Sequence, residues 1–252
     1  MRDETQRDES FFIGWEAQGP SSVMAFVKRR VWAILALAAA VGAVVTALQP
    51  SFASSNFEFG VERTFEGVLE HHPFPVLRVE RPGGDGDASR WLLTVFGKRG
   101  AESATLALDG HRIRVKGSLI YRDRQTMVEI LPGSLEDLGA AQGAPSLTEA
   151  EPVRLRGEIV DSKCFLGVMK PGNLKTHRAC AARCISGGVP PVLLVRDEDG
   201  MATYFLLVGS RGEAINASVL PFVAELVEVE GEVQAVGELR ILRTDPAAIR
   251  RI

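Results

Sequence analysis

The sequence predicts an all-β chain with short helices, in which an N-terminal transmembrane helix is followed by two tandem OB-like small β-barrels. Three observations predict it. An uncharged apolar run, Val31 to Leu48, follows a basic cluster near the start of the 252 residues. Beyond it, Val, Leu and Ile recur in short runs separated by Gly, Pro and charged residues, the pattern of short strands. Those runs fall into two sets that resemble one another in order and spacing.

The N-terminal region comes first. Residues 1–10 (MRDETQRDES) are charged and polar and read as disordered. Phe11, Phe12, Ile13 and Trp15 then form an apolar cluster, either an anchor at the headgroup region or a contact for a membrane partner. Lys28, Arg29 and Arg30 directly precede the apolar run, which is about long enough to span a bilayer. The positive-inside rule makes 1–30 a cytoplasmic tail, 31–49 a single-pass anchor in the inner membrane, and everything beyond it periplasmic. A signal peptide is the competing reading, because Ser51-Phe52-Ala53 ends in a small-x-small pattern. The long leader favours an uncleaved anchor. The net charge of −3 and an aromatic content of 7% argue against nucleic acid as a partner, since both phosphate contacts and base stacking lack their usual residues.

After a polar link, residues 50–60, two domains are expected at 61–138 and 152–252, joined by an Ala-, Gly- and Pro-rich linker at 139–151. Their runs correspond: TFEGVLE with RLRGEIV, PVLRVER with PVLLVRDEDG, RWLLTVFGKRGA with TYFLLVGSRGEA, and a long final strand pair in each. Gly67 matches Gly157, Pro75-Val76 matches Pro191-Val192, Gly97 to Gly100 matches Gly209 to Gly212, and Gly117 matches Gly231. The pattern is an internal duplication. Each copy holds five strands with a connector between the third and fourth. A glycine inside the first strand marks a sharp bend, which suits a curled, closing sheet.

One segment breaks the correspondence. The first copy needs only a few residues between Gly67 and Pro75, whereas the second carries a long insertion between Gly157 and Pro191. The insertion holds all three cysteines and a histidine, spaced C-x12-H-x2-C-x3-C: Cys164, His177, Cys180 and Cys184. The Ala-rich stretch from Thr176 to Gly187-Gly188 reads as a short helix that sets His177, Cys180 and Cys184 on one face at i, i+3 and i+7. Cys164 at a strand end faces it across the Pro171-Gly172-Asn173 turn. Three readings follow. A Cys3His set suits zinc, and thiolates also suit copper(I). An oxidising compartment would instead pair two cysteines in a disulfide that staples the insertion. A leftover thiol near Arg178 and Arg183 is the start of a thiol-redox protein. Asp161 is placed to orient His177 from behind, or to cap the turn.

Elsewhere the signals are weaker. His71 and His72 stand where the first copy lacks the insertion, and His111 starts a strand. Arg99 and Arg211 repeat after the third strand and can meet an anion or a partner's carboxylate, or line a solvated loop. Neither a serine-nucleophile motif, a phosphate loop nor H-E-x-x-H occurs, so no catalytic residues are assigned.

The run G-E-I-V-D-S-K-C, then H-R-A-C-A-A-R-C, then G-G-V-P-P-V-L-L-V resembles a group of uncharacterised small exported or membrane-anchored bacterial OB-like proteins. They share the order V-D-x-x-C, H-x-x-C-A-x-x-C and G-x-P before a strand. The resemblance covers 154 to about 240 and falls on Asp161, Cys164, His177, Cys180, Cys184, Gly188 and Pro190. It implies an exported OB-like domain with a Cys/His site and names no substrate. The expected function is a non-enzymatic, membrane-anchored accessory protein that binds zinc or copper beside a membrane redox complex. The alternatives are a disulfide-stapled interaction module and a thiol-redox protein.

Overall fold

The structure is a computed structural model and describes residues 21–48, 55–71, 73–80, 88–141, 148–198 and 200–252. The N-terminal helix and the barrels are separate units. Phe11, Phe12 and Trp15, His72, and the Ser51-Phe52-Ala53 pattern lie outside the described residues.

Helix α1 (Ser21–Ala47) is long and apolar enough to cross a membrane, and both a membrane span and a signal sequence fit it. At 1.5 Å per residue it is about 40 Å long, more than the hydrocarbon core requires. It begins ten residues before the expected anchor because Lys28, Arg29 and Arg30 are good helix formers and nothing in the stretch breaks a helix. The boundary drawn at Val31 marked only where charge ends, so part of the expected tail is helical.

The first barrel contains β1 (Ser55–Phe57), β2 (Arg63–His71), β3 (Pro75–Glu80), β4 (Ala88–Val95), β5 (Arg99–Gly100), α2 (Glu102–Thr105), β6 (His111–Arg122), β7 (Gln125–Ile130) and β8 (Glu136–Ala140). The second contains β9 (Glu151–Asp161), α3 (Arg178–Ser186), β10 (Pro191–Arg196), β11 (Ala202–Gly209), α4 (Asn216–Val219), β12 (Leu226–Val236), β13 (Leu239–Thr244) and β14 (Ile249–Arg251). In each, three strands form an antiparallel meander (β2-β3-β4 and β9-β10-β11). The third strand then pairs in parallel with the last (β4 with β7, β11 with β13). The last two strands pair, and the fourth closes back on the first. Both are five-strand closed barrels with one topology. Strands β1, β5, β8 and β14 are additions to the expected five, and β1 turns part of the expected 50–60 link into an edge partner of β6.

The register places most of the sequence correspondences at equivalent positions. Gly67 faces Ile113 and Gly157 faces Val227, while Pro75 faces His71 and Pro191 faces Asp161. A Cβ on Gly67 or on Gly157 would lie 2.4 Å from the carbonyl oxygen of Arg78 or Leu194 respectively, so only glycine lets the neighbouring strand curl this closely. The match between Gly97–Gly100 and Gly209–Gly212 is shifted. Val95 pairs with Ile130 and Gly209 with Thr244, so Gly209 stands where Val95 does, two residues ahead of Gly97. The reason is that the first barrel continues into a hairpin with β5, whereas the second turns at once through Gly212 N donating to Gly209 O.

Among the described residues, buried apolar side chains sort into three large clusters and a small one of Cys164, Cys184 and Val189. Leu69, Leu77, Leu93, Ile113 and Val128 fill the first barrel, and Ile159, Leu193, Leu207, Val227 and Leu242 fill the second. Between them lies a third: Val76, Leu92 and Met127 from one barrel meet Val192, Leu206 and Ile241 from the other, which are the equivalent positions. This seam explains why PVLLV and YFLLV do not alternate apolar with polar: Leu193 and Leu207 face a barrel interior while Val192, Leu194, Leu206 and Val208 face the other barrel. A strand buried on both faces reads as a continuous apolar run.

Phe165, from the insertion, is fully buried in this seam, with the Arg122 guanidinium 4.0 Å above its ring and Tyr204 against its edge at 5.3 Å. Replacing Phe165 with Ala would remove the largest fully buried side chain of the seam. It is expected to cost about 3–5 kcal/mol, read as a lowered denaturation midpoint for the barrel unit.

Candidate metal centre

The insertion, residues 162–190, begins where β9 ends. Asp161, fully buried, closes the first turn by accepting the backbone N–H of Cys164 on Oδ1 at 2.8 Å. A single π-helical turn, Cys164–Val168, follows, with the N–H of Met169 reaching back to the carbonyl of Cys164. Gly167 sits in it against β1, where a Cβ would lie 2.4 Å from Asn56 O. The chain returns through a 3-10 turn, Lys175–His177, into α3. Thr176 does not cap this helix; the chain is already turning there, and His177 occupies the N-cap position with no side-chain cap. The expected stop holds: Gly187 closes the helix, and Gly188 takes a left-handed φ of 93°.

The three sulfurs converge. Cys164 Sγ is 3.8 Å from Cys180 Sγ and 3.8 Å from Cys184 Sγ. No disulfide joins them, since a disulfide holds its sulfurs at about 2.05 Å. The expected staple is absent from this structure, and the insertion is held by packing instead. His177 is buried and donates from Nε2 to Asp161 Oδ2 at 3.0 Å. With Asp161, the four expected ligands fall into two trios that share Cys164: Cys164-Cys180-Cys184 and Asp161-Cys164-His177, each with its ligand atoms within 4.8 Å of one another. The helical spacing that suggested a common face fails at His177 because the residue precedes the α-helix and its ring turns to Asp161.

Two lysines that the sequence did not single out complete the surroundings. Lys98, at the tip of the β4-β5 hairpin of the first barrel, donates from Nζ to Cys180 Sγ at 2.6 Å. That contact raises the Lys98 pKa, with the charge of the other two cysteines adding to it. Cys184 is held below the usual thiol range, first by its hydrogen bond with Cys164, and Lys98 helps. Cys164 is pushed far above that range by the same sulfur contact, by burial and by Asp161.

The second lysine, Lys163, is only 2% exposed and fastens the hairpin in place. Its Nζ donates to Val95 O and Gly97 O, both at 2.7 Å, and pairs with Glu129 at 2.5 Å. From the other side, Gly100 N donates to Gly187 O, and a Cβ on Gly187 would lie 1.9 Å from Lys98 O. No local sequence signal could have paired Lys98 with Cys180, since 82 positions and a barrel boundary separate them. The sulfurs open on a cleft of about 290 Å³ lined by Phe57, Phe59, Phe96, Val168 and Met169.

The remaining candidates are elsewhere. Arg99 is exposed on β5, and Arg211 lies on the rim of a different cleft between the barrels. His71 Nε2 bonds the Thr105 hydroxyl, and His111 pairs with Asp137. Compared with protein-family models, with curated proteins and with solved structures, the chain matches none of them.

The close approach of hairpin and helix gives a direct check. Gly187→Ala forces the Lys98 backbone away from α3. It is expected to destabilise the barrel unit by about 1–3 kcal/mol, by chemical denaturation, while Lys170→Ala, at an exposed turn position, leaves stability unchanged.

Proposed function

We propose that the chain is a membrane-anchored accessory protein whose second barrel holds one soft, thiophilic ion, copper(I) or zinc, on Cys164, Cys180 and Cys184. One observation carries this reading. Sulfurs bound about 2.3 Å from a tetrahedral zinc stand about 3.8 Å apart, and Cys164 stands 3.8 Å from each of its two partners. A site with only sulfur donors suits the softer ions. Met169 adds a thioether to the lining of the same cleft, and Lys98 offsets part of the thiolate charge. In this reading Asp161 and His177 are positioning residues: Asp161 holds the Cys164 backbone, and His177 holds Asp161.

The placement of this site rests on the sequence. Lys28 to Arg30 before the apolar helix support a cytoplasmic N-terminus and periplasmic barrels. A tethered, ion-holding domain with no catalytic motif suits an accessory role beside a membrane redox complex, with a protein of that complex as its partner. The matched glycines and shared strand order support an internal duplication, after which one copy acquired the insertion.

Metal content and free-thiol count of the full chain, purified in detergent without chelator, test the reading. One equivalent of copper or zinc is expected, with three thiols titrating only after the metal is removed. Cys180→Ser is expected to lose the metal and His177→Gln, which can still donate to Asp161, to keep it. If His177→Gln loses the metal as fully as Cys180→Ser does, the ligand set is Cys3His and the three-sulfur site is wrong. A metal-free chain with a single titratable thiol would replace the reading with a disulfide-stapled interaction module.

A further inference from the structure

We propose that the cleft between the two barrels binds a small organic anion that has an apolar body. The cleft holds about 350 Å³ and takes its walls from both barrels. Its floor is apolar, with Val76 from one barrel and Val208, Val236 and Ile241 from the other. Around this floor stand three arginines: Arg90 of β4, Arg243 of β13 and Arg211 of the turn after β11.

The charges do not cancel within the protein. Glu70, 5% exposed, accepts from both Arg78 and Arg90, so one carboxylate serves two guanidiniums. The Arg243 Nε is buried and has no hydrogen-bond partner among the described residues. Arg211 is exposed and meets only Glu213, at 3.9 Å. Among the described residues that line the cleft, Glu70 is the only carboxylate against three guanidiniums, with Glu238 on the Arg90 amide and Glu213 beside Arg211 just outside.

Gly212, at a left-handed φ of 85°, lies beside the Arg243 guanidinium, and a Cβ there would stand 3.4 Å from Nη1. A planar guanidinium with a free donor edge is suited to the paired oxygens of a carboxylate or phosphate. An apolar floor with a few convergent polar groups, at this volume, is the form of a small-molecule site. The floor gives an inorganic ion nothing to hold, so the ligand carries carbon next to its anionic group. This cleft is distinct from the sulfur cluster, and the two share no lining residue.

Calorimetric titration of phenyl phosphate into the full chain in nonionic detergent tests the proposal, with inorganic phosphate and benzyl alcohol as the two half-ligands. Saturable one-to-one binding at millimolar concentration or below is expected. Each half-ligand and the Arg243→Met variant should bind about tenfold or more weakly. Absence of saturable binding, equal binding of inorganic phosphate, or unchanged affinity in Arg243→Met overturns it. Should Arg243→Met not fold, Arg211→Met carries the test from an exposed position: a severalfold loss supports the site, and unchanged affinity overturns it. Metal loading of the cysteines is left intact throughout, so failure here is separate from failure at the sulfur site.

Discussion

A buried ammonium group sets the geometry of this molecule. Lys163 leaves the second barrel one residue before Cys164 and ends inside the first, between two carbonyls and Glu129. A charge this deeply buried must find its partners or unfold the site around it. The partners it finds lie on and beside the hairpin that carries Lys98. Satisfying Lys163 thus fixes the hairpin, the hairpin fixes Lys98, and Lys98 is brought onto Cys180. The close backbone contact of Gly100 with Gly187 locks the same hairpin to the end of α3.

The sulfur cluster consequently belongs to the barrel pair rather than to either barrel. Its thiols come from an insertion into the second barrel, and its lysine ammonium and much of its apolar rim come from the first. The seam that joins the barrels uses equivalent faces of each, with Phe165 of the insertion as a wedge. Anything that loosens the seam separates Lys98 from the thiols, so binding chemistry and domain packing are coupled. The cleft with the three arginines depends on the same seam, because its walls are drawn from both barrels.

Within the insertion, the division of labour between the two trios has a simple cause. A buried carboxylate at Asp161 needs donors, and the nearest are the Cys164 amide and the His177 ring. His177 gives Nε2 to Asp161, which orients its ring. The cysteines, which lack such a demand, are left to one another. The opposed shifts of Cys164 and Cys184, both buried, follow from the hydrogen bond between them, with Asp161 raising Cys164 further and Lys98 helping to lower Cys184.

The sequence by itself determined the five barrel strands of each copy, the barrel class, the apolar helix and the extra status of the cysteine segment. Each of these rests on short-range pattern: a glycine that bends a strand, a proline that starts one, an apolar run of set length, an insertion that breaks a repeat. Even the non-alternating PVLLV and YFLLV runs carried the information that two faces would be buried. Tertiary structure alone decided that His177 turns to Asp161, that Lys98 crosses from the other barrel to Cys180, and that Lys163 is a buried clamp instead of a surface charge. It also decided that Arg211 joins Arg90 and Arg243 around a shared cleft. These contacts join residues far apart along the chain, and their geometry comes from the docking of two closed barrels. Local periodicity contains no term for that docking.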